Sequence, residues 1–304
     1  MKRKRRQELF AFYDYTAIEN HLSEMAKKGW MIEKINNYFW TYAQIPPKDI
    51  TFNITYHSSA SEFDPKRSEM QMTFDEFCEH AGWKLALSWH QMQIYYNGNE
   101  NPTPIQTDPE IHLKTLHKAM WKNYLISNII ILLISVPLSV MFLISLMKVP
   151  GKIISSGTSL FTGILLTVLS VYIIFDLSVY FRWIKKALDS AEDGIFTDSP
   201  NTTPVQKTVI YFTYLLLAAW IINHMINADM LMLVSIGSYL ASLIISFCVM
   251  DNAKDIFKMM NAPMWLNKIL SVVVTFIAAF IVIKVFVLVV LLMSGNNELI
   301  PVLI

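Results

Sequence analysis

Residues 124–147 read YLISNIIILLISVPLSVMFLISLM, and no charged side chain interrupts them. A helix that crosses the roughly 30 Å hydrocarbon core of a bilayer needs about 20 predominantly apolar residues. Because lipid offers backbone groups no hydrogen-bond partner, such a run is predicted to be helical. Similar runs recur toward the C-terminus, and the full set is Tyr124–Met147, Thr158–Phe181, Val209–Ile226, Met230–Met250 and Ile269–Met293. The sequence therefore predicts an all-α transmembrane domain of five helices over residues 124–304.

Charged residues are concentrated ahead of these runs. The chain holds 25 Lys and Arg and 24 Asp and Glu, and most of them precede Asn123. Residues 1–110 have the mixed charge and aromatic content of a soluble domain. Residues 111–123 carry lysines at the four-residue spacing of one helix face. We therefore expect a folded domain over 1–110, an amphipathic connecting helix on the membrane surface over 111–123, and the membrane domain over 124–304.

The distribution of Lys and Arg between loops predicts the orientation. Short loops rich in these residues tend to stay on the cytoplasmic side. They lie before the first run, between the second and third, and between the fourth and fifth, at Lys114, Lys118, Lys122, Arg182, Lys185, Lys186, Lys207, Lys254, Lys258 and Lys268. The opposite side holds only Lys148 and Lys152. This pattern predicts a multi-pass protein of the cell membrane with a cytoplasmic N-terminus and an extracellular C-terminus.

The segment before residue 110 also suggests a cytosolic location. The basic stretch Lys2–Arg6 is followed by a polar, interrupted segment, so it does not have the pattern of a signal peptide. The two cysteines, Cys78 and Cys248, lie in different regions and do not suggest a disulfide framework. Both observations favour a domain in a reducing cytoplasm.

The N-terminal domain reads as a mixed α+β unit. Strand-like segments alternate with two helices that each begin at a Thr-x-x-Glu capping box, Thr16–Glu19 and Thr73–Glu76. The predicted strands are Leu9–Tyr15, Trp30–Tyr42, Ile50–Tyr56 and Trp83–Tyr96. The resulting order of strand, helix, strand, strand, helix, strand is that of a ferredoxin-like βαββαβ sandwich.

Each predicted helix ends in the same dipeptide. Gly29 and Trp30 follow the first helix, and Gly82 and Trp83 follow the second. Glycine is the usual residue just past a helix end, because it adopts a left-handed conformation at no steric cost. The echo is consistent with an internal duplication, but two independent helix caps that each precede a core aromatic explain the same residues without one. Either reading predicts buried tryptophans that hold the domain together.

At this level the chain resembles a known family. Phe10-x-x-Tyr13-Asp14-Tyr15, the segment from Glu19 to Trp30, and Ala81-Gly82-Trp83 are similar to the domain of unknown function 2812. The resemblance covers about the first hundred residues. It implies a bacterial membrane protein, often encoded beside repressors of the phenolic-acid-decarboxylase regulator type. It implies no activity, catalytic residue or ligand.

Ionisable residues inside the apolar runs are the candidate functional residues, because such groups are costly in lipid. Lys284 lies in the last run, and His224 and Asp229 lie near its expected depth. Lys284 either extends along its stem toward the interface or pairs with one of these two residues at a ligand or ion site. Asp176, in the second run, is expected to pair locally with Arg182, Lys185 or Lys186.

Motifs for catalysis and cofactor binding are not found in the sequence. No HExxH, CxxC, GxxxxGK[ST], GxGxxG or GxSxG occurs, and the acidic loop Asp189–Gly194 lacks the remaining ligands of an EF-hand. We therefore expect no metal, cofactor or enzymatic activity and no direct binding of nucleic acid. The favoured hypothesis is a sensory or regulatory membrane protein whose cytosolic module binds a small ligand or a protein partner. The alternative is a transporter or permease-like component, in which Lys284 and His224 take part.

Overall fold

The computed structural model describes the backbone of residues 2–36, 39–227 and 230–294. It also describes their side chains, except those at 123, 158, 223–236, 239, 240, 243, 291, 293 and 294. The chain divides into two compact units. The first contains residues 1–62 and 68–216, and the second contains residues 63–67 and those from 217 onward.

The described residues of the N-terminal domain form six strands in two separate antiparallel sheets. The strands are β1 (Arg3–Arg6), β2 (Trp30–Ile35), β3 (Trp40–Gln44), β4 (Thr51–Tyr56), β5 (Lys84–Trp89) and β6 (Met92–Asn97). The first sheet has the order β1-β3-β2 and the second the order β4-β6-β5. Helix α1 (Tyr15–Lys27) lies between β1 and β2 in the chain, and α2 (Glu69–His80) lies between β4 and β5. The domain is therefore two consecutive βαββ units with the same sheet order.

The two βαββ units also agree in details other than the strand order. Gly29 has φ 81° and Gly82 has φ 83°, the left-handed conformation predicted for the residue after each helix. The hairpin that follows each glycine contains a register shift, between Ile32 and Lys34 in the first unit and between Leu85 and Leu87 in the second. Both shifts fall three to five residues after the glycine. This correspondence favours the internal duplication over two unrelated helix caps.

The strands of the described residues do not form the predicted ferredoxin-like order of four strands in one sheet. The long segments predicted as single strands, Trp30–Tyr42 and Trp83–Tyr96, are each a hairpin of two strands. The predicted strand Leu9–Tyr15 is irregular up to Asp14, and the first strand is instead the basic stretch Arg3–Arg6, which pairs with β3. Arg3 is held there by Glu33, whose carboxylate accepts hydrogen bonds from the guanidinium at 2.5 and 2.8 Å.

The helix starts also differ from the prediction. Helix α1 begins at Tyr15, so Thr16 and Glu19 lie inside its first turns and do not form a capping box. Helix α2 begins four residues before the predicted Thr73, and its capping box is formed by Ser68 and Gln71. Ser68 Oγ accepts from the Gln71 amide at 3.3 Å, and Gln71 Oε1 accepts from the Ser68 amide at 3.0 Å.

Helix α3 (Pro109–Met120) joins the N-terminal domain to the membrane helices. Asp108 caps it, and a π-helical turn over Trp121–Leu125 continues directly into α4 (Ile126–Lys148). Its apolar residues Leu113, Leu116 and Met120 are buried in the main core, while the lysine stripe stays exposed. The apolar face of α3 packs against protein, on β4 and on helix α6 (Gly157–Glu192), instead of lying in lipid headgroups.

Helices α4 and α6 (Gly157–Glu192) form an antiparallel pair, linked by the short helix α5 (Pro150–Ser155). Ser170 Oγ lies 2.9 Å from Ser135 Oγ and 3.3 Å from Ser139 Oγ, and all three residues are buried. Gly163 lies against the ring of Phe142, at a place where a Cβ atom would overlap the ring. Small residues and hydroxyl groups at such contacts let membrane helices approach closely.

Four helices in the described part of the chain are long and apolar enough to cross a membrane, one fewer than predicted. They are Ile126–Lys148, Ser159–Glu192, Thr203–Ile222 and Met264–Val290. The predicted run Met230–Met250 lies within a helix, α8 (Met230–Met259), but most side chains of its first half lie outside the described residues. Helix α7 extends over Thr203–Asn227 and α9 over Met264–Ser294.

In the second compact unit, which contains residues 63–67 and those from 217 onward, α8 and α9 pack against each other. The buried Asn267 of α9 donates through Nδ2 to the carbonyl oxygens of Phe63 and Lys254, at 3.0 and 3.3 Å. Ser271 Oγ donates to Asn267 Oδ1 at 3.0 Å. The amide of Asn267 therefore ties Phe63 and Lys254 of α8 to one helix turn of α9.

Trp30 and Trp83, which follow the two helix-ending glycines, are expected to contribute unequally to stability. Trp83 is 2% exposed and donates through Nε1 to Thr103 O at 2.8 Å, whereas Trp30 is only partly buried and lies under Lys4. We predict that Trp83→Ala lowers the free energy of unfolding of the N-terminal domain by about 3–5 kcal/mol and that Trp30→Ala costs clearly less. Hydrogen exchange in β5 and β6 of the full chain measures the difference, and equal losses of protection would contradict it.

Candidate functional site

The segment Phe10–Tyr15, irregular up to Asp14, runs through the middle of the first compact unit. Ala11 to Tyr15 are buried, and Tyr13 and Asp14 have no exposed surface. Tyr56 of β4 donates from its hydroxyl to Phe12 O at 2.8 Å, which fixes the segment to the second sheet. The segment therefore carries two polar side chains, Tyr13 and Asp14, into a core that it shares with α3 and α6.

A single carboxylate joins the N-terminal domain to the first two spans. Asp176 of α6 is 2% exposed. Its Oδ1 accepts from Tyr13 Oη at 2.8 Å, and its Oδ2 accepts from Tyr124 Oη at 2.6 Å. One tyrosine belongs to the N-terminal domain and the other to the turn that leads into α4. We refer to Tyr13, Tyr124 and Asp176 as the junction cluster.

The predicted pairing of Asp176 with a nearby base is wrong. Arg182 is exposed and donates from Nε to Ser178 O at 3.0 Å. Six residues along a helix correspond to about 240° of rotation, so the two side chains point to different faces. Asp176 faces the protein interior, where two phenolic hydroxyls satisfy both of its oxygens.

Aromatic rings surround the junction cluster. The ring of Tyr13 lies 5.1 Å from that of Tyr180 and stacks on Trp183 at 6.2 Å between centroids. His117 of α3 contacts the Tyr180 hydroxyl through Nδ1 at 2.7 Å. These rings exclude water from Asp176, which strengthens its hydrogen bonds and raises the cost of breaking either one.

A second carboxylate, Asp14, binds the loop that follows α6. Its Oδ2 accepts from the amide and the hydroxyl of Thr202 at 3.3 and 2.8 Å, and Thr202 Oγ1 accepts from Gln206 Nε2 at 3.0 Å. Asp14 Oδ1 has no hydrogen-bond partner among the described residues. Asp14 thus ties the N-terminal domain to the start of α7.

Further hydrogen bonds extend this attachment along the same loop. Tyr15 Oη donates to Thr197 O at 2.6 Å, and Trp183 Nε1 donates to Asp198 O at 2.8 Å. Thr16 and Ser199 each accept the other's amide on their hydroxyl oxygen at 3.0 Å. Residues 197–202 are therefore fastened along the start of α1, on the same side of the α4–α6 pair as the N-terminal domain.

Burial changes the protonation of carboxyl groups next to the junction. It raises the pKa of Asp14 to about 7, although the two hydrogen bonds from Thr202 oppose the shift. Burial likewise raises the pKa of Glu19 to about 8, against the hydrogen bond that its Oε1 accepts from the Ile54 amide at 2.7 Å. Both groups therefore change charge near neutral pH, close to the contact between the domain and the spans.

The other predicted site residues do not gather into a described site. Lys284 of α9 is partly buried, and its Nζ lies 5.4 Å from the ring centroid of Phe280, one turn earlier in the same helix. Its two predicted partners, the side chain of His224 and Asp229, lie outside the described residues. Among the residues that the structure describes, no group of three or more His, Cys, Asp or Glu side chains is arranged to hold a metal ion.

Comparison with known proteins adds one finding. Residues 14–129 match a family model described as Protein of unknown function (DUF2812). This match covers less than half of the chain and agrees with the resemblance to the domain of unknown function 2812. The match begins at Asp14 and ends inside α4, so it includes Tyr124 and extends beyond the hundred residues in which the resemblance was recognised. No curated protein and no solved structure matches this chain.

Asp176 is predictable from the sequence as a candidate residue, whereas its two tyrosine partners are not. Tyr13 and Asp14 are part of the family resemblance, yet they read as a strand, and a strand would place them on opposite faces of a sheet. Tyr124 read as an aromatic residue at the membrane boundary. A signal that could have indicated the junction cluster is an acidic residue in one apolar run together with tyrosines in segments predicted to lie near it.

The raised pKa of Asp14 gives a stability prediction with a definite sign. The folded chain binds this proton more tightly than the unfolded chain does, so the stabilisation is complete below about pH 4 and is lost as the pH rises through 7. Asp14→Asn keeps an acceptor for Thr202 but does not titrate. We expect the free energy of unfolding to fall by roughly 2–4 kcal/mol more in the wild type than in Asp14→Asn across this range.

Chemical unfolding of the detergent-solubilised full chain between pH 4.5 and 8 measures this difference. Glu19 titrates in both proteins, so its contribution cancels in the comparison. Parallel pH profiles for the two proteins would show that Asp14 has an ordinary pKa.

Proposed function

We propose that this protein is a non-enzymatic sensory or regulatory membrane protein. In this proposal, the DUF2812 domain is a binding module for a small ligand or a cytosolic protein partner. The state of the module is passed to the α4–α6 pair through the junction cluster. The observation that carries the proposal is the buried carboxylate of Asp176, shared between a tyrosine of the module and a tyrosine at the start of the first span.

Energetics supports a tight coupling at this point. A buried carboxylate that loses a hydrogen-bond partner costs roughly 1–3 kcal/mol or more. Movement of Phe10–Tyr15 relative to α6 therefore cannot occur without a penalty at Asp176. A ligand that shifts this segment changes the relative stability of two arrangements of the spans, which is the requirement for a coupled response.

The hydrogen bonds between Asp14 and residues 197–202 support the same coupling by a second route. They attach the module to the start of α7, so its contacts reach three of the four helices that qualify as spans in the described residues. No corresponding observation favours the transporter alternative. Its candidate residue Lys284 contacts Phe280 of its own helix, and the side chains of its proposed partners are not described.

A hydrogen-exchange experiment on the full chain in lipid nanodiscs tests the coupling. Ser170→Val removes the hydroxyl contact within the α4–α6 pair, and we expect exchange in α1 and β4 to accelerate by about tenfold, equivalent to about 1.4 kcal/mol. In a Tyr13→Phe background the same change is expected to leave α1 and β4 unaffected, because the connecting hydrogen bond is absent.

Tyr211→Phe serves as the matched control, since Tyr211 is 61% exposed on α7. The response to Ser170→Val should persist in that background. If Ser170→Val leaves exchange in α1 and β4 unchanged in the otherwise intact chain, the module and the spans are not coupled and the proposal fails.

The proposed orientation places the N-terminal domain in the cytoplasm. The charge distribution supports it, and the attachment of residues 197–202 to the domain agrees with two crossings between them. In a variant without Cys78 and Cys248, a membrane-impermeant maleimide applied to intact cells should label Gly151→Cys but not Ile195→Cys. Ile195 is 58% exposed, so permeabilised cells should label it. Labelling of position 195 in intact cells would contradict the orientation.

A further inference from the structure

The two βαββ units differ at one equivalent place. Alignment by register pairs Met31 with Ala43 in the first unit and Lys84 with Tyr96 in the second. Two positions further along, Gly98 therefore occupies the place of Ile45. Both places lie beside the glycine that ends the preceding helix.

In the first unit this place is filled by the main chain. The amide of Ile45 donates to Gly29 O at 2.9 Å. A Cβ atom on Gly29 would lie 2.9 Å from Ile45 O and 3.5 Å from Pro47. The chain 45–47 packs directly against the glycine and leaves no room beside it.

In the second unit the equivalent place is an open cleft of about 230 Å³. Its lining includes Lys48, Gly82, Lys84, Asn97, Gly98 and Asn99. Gly98 has no side chain to fill the space, and Lys48 Nζ lies over it, 2.7 Å from where a Cβ atom would be. The two lysines thus border a cleft at the place that the main chain fills in the first βαββ unit.

The buried amide of Asn97 faces this cleft with an unused donor. Asn97 is 2% exposed, and its Oδ1 accepts from the Asn99 amide at 2.9 Å, which leaves Nδ2 as the free group. Nδ2 has no hydrogen-bond partner among the described residues, and it lies 3.2 Å from the Cβ position of Gly82. A buried donor without a partner is costly, so a site that leaves one open is suited to an acceptor from outside.

The charge around the cleft is positive. Among the described residues that line it, none is acidic, and none of the described ion pairs involves Lys48 or Lys84. The neighbouring Asp49 lies 3.8 Å from Lys27 instead. Two unpaired ammonium groups and a buried amide donor all suit oxygen atoms that carry negative charge.

We propose that this cleft binds a small oxyanion, namely the phosphate or carboxylate group of a compact ligand. Lys48 and Lys84 supply charge, and Asn97 Nδ2 supplies a directional hydrogen bond. The inference rests on the proposed role of the N-terminal domain as a binding module, and it names the chemistry of the ligand. The cleft lies between the end of α2, the start of β5 and the end of β6, so an anion there contacts all three elements.

Isothermal titration of the full chain in neutral detergent with inorganic phosphate, and separately with acetate, tests the site. Chloride at matched ionic strength is the reference. We expect saturable binding of at least one oxyanion, and the comparison of the two titrations distinguishes a phosphate ligand from a carboxylate ligand. Lys48→Gln and Lys84→Gln should each weaken binding about tenfold, as expected for loss of a charge-assisted contact.

Lys34→Gln is the matched control, because Lys34 is an exposed lysine on β2 of the other unit. It should leave affinity unchanged. Heat changes that chloride reproduces, or that Lys34→Gln weakens as much as Lys48→Gln, would overturn the proposal in favour of general charge screening. If the wild type binds neither phosphate nor acetate but Ser170→Val still accelerates exchange in α1 and β4, the proposed cleft alone is refuted. If an oxyanion binds but Ser170→Val leaves that exchange unchanged, the proposed function alone is refuted.

Discussion

The hydrogen bonds of Asp176 are the constraint on which the arrangement of the first compact unit, residues 1–62 and 68–216, depends. A carboxylate removed from water is stable only if its oxygens are satisfied, and here each oxygen has one tyrosine hydroxyl. One tyrosine comes from the buried segment Phe10–Tyr15 and the other from the turn before α4. Neither can leave without exposing an unsatisfied acceptor inside an aromatic core. The N-terminal domain and the first two membrane helices therefore share one core instead of being joined by a flexible linker.

The two βαββ units of the N-terminal domain share some features and differ in others. Both βαββ units need the glycine after the helix and the register shift that follows, because these set the path of the hairpin. The residues after the third strand of each unit, β3 or β6, carry no such requirement. In the first unit they fold back as Ile45–Pro47 and close the space, whereas in the second Gly98 leaves it open between two lysines. A repeated fold can thus have one structural copy and one copy with an accessible cleft.

Several elements were predictable because their signals are local. The left-handed glycines at positions 29 and 82 follow from helix ends that need such a residue. The membrane helices follow from length and hydropathy, although four, not five, qualify among the described residues. The hairpins were missed because the segments Trp30–Tyr42 and Trp83–Tyr96 are apolar throughout, and a strand pattern does not mark where the chain reverses. The start of α2 differs from the prediction because Ser68 and Gln71 form its capping box as well as a Thr-x-x-Glu pair would.

The sequence by itself determined the class of the protein: an α+β domain with two glycine-ended helices, followed by apolar helices that belong in a bilayer. Composition and periodicity suffice for this, since they set which surfaces must avoid water. Only the tertiary structure decided that Asp176 pairs with Tyr13 and Tyr124 and not with Arg182, and that Asn97 and two lysines border a cleft. The physical reason is that these contacts join residues far apart in the chain. Their geometry depends on how sheets and helices pack, which no local pattern of residue types encodes.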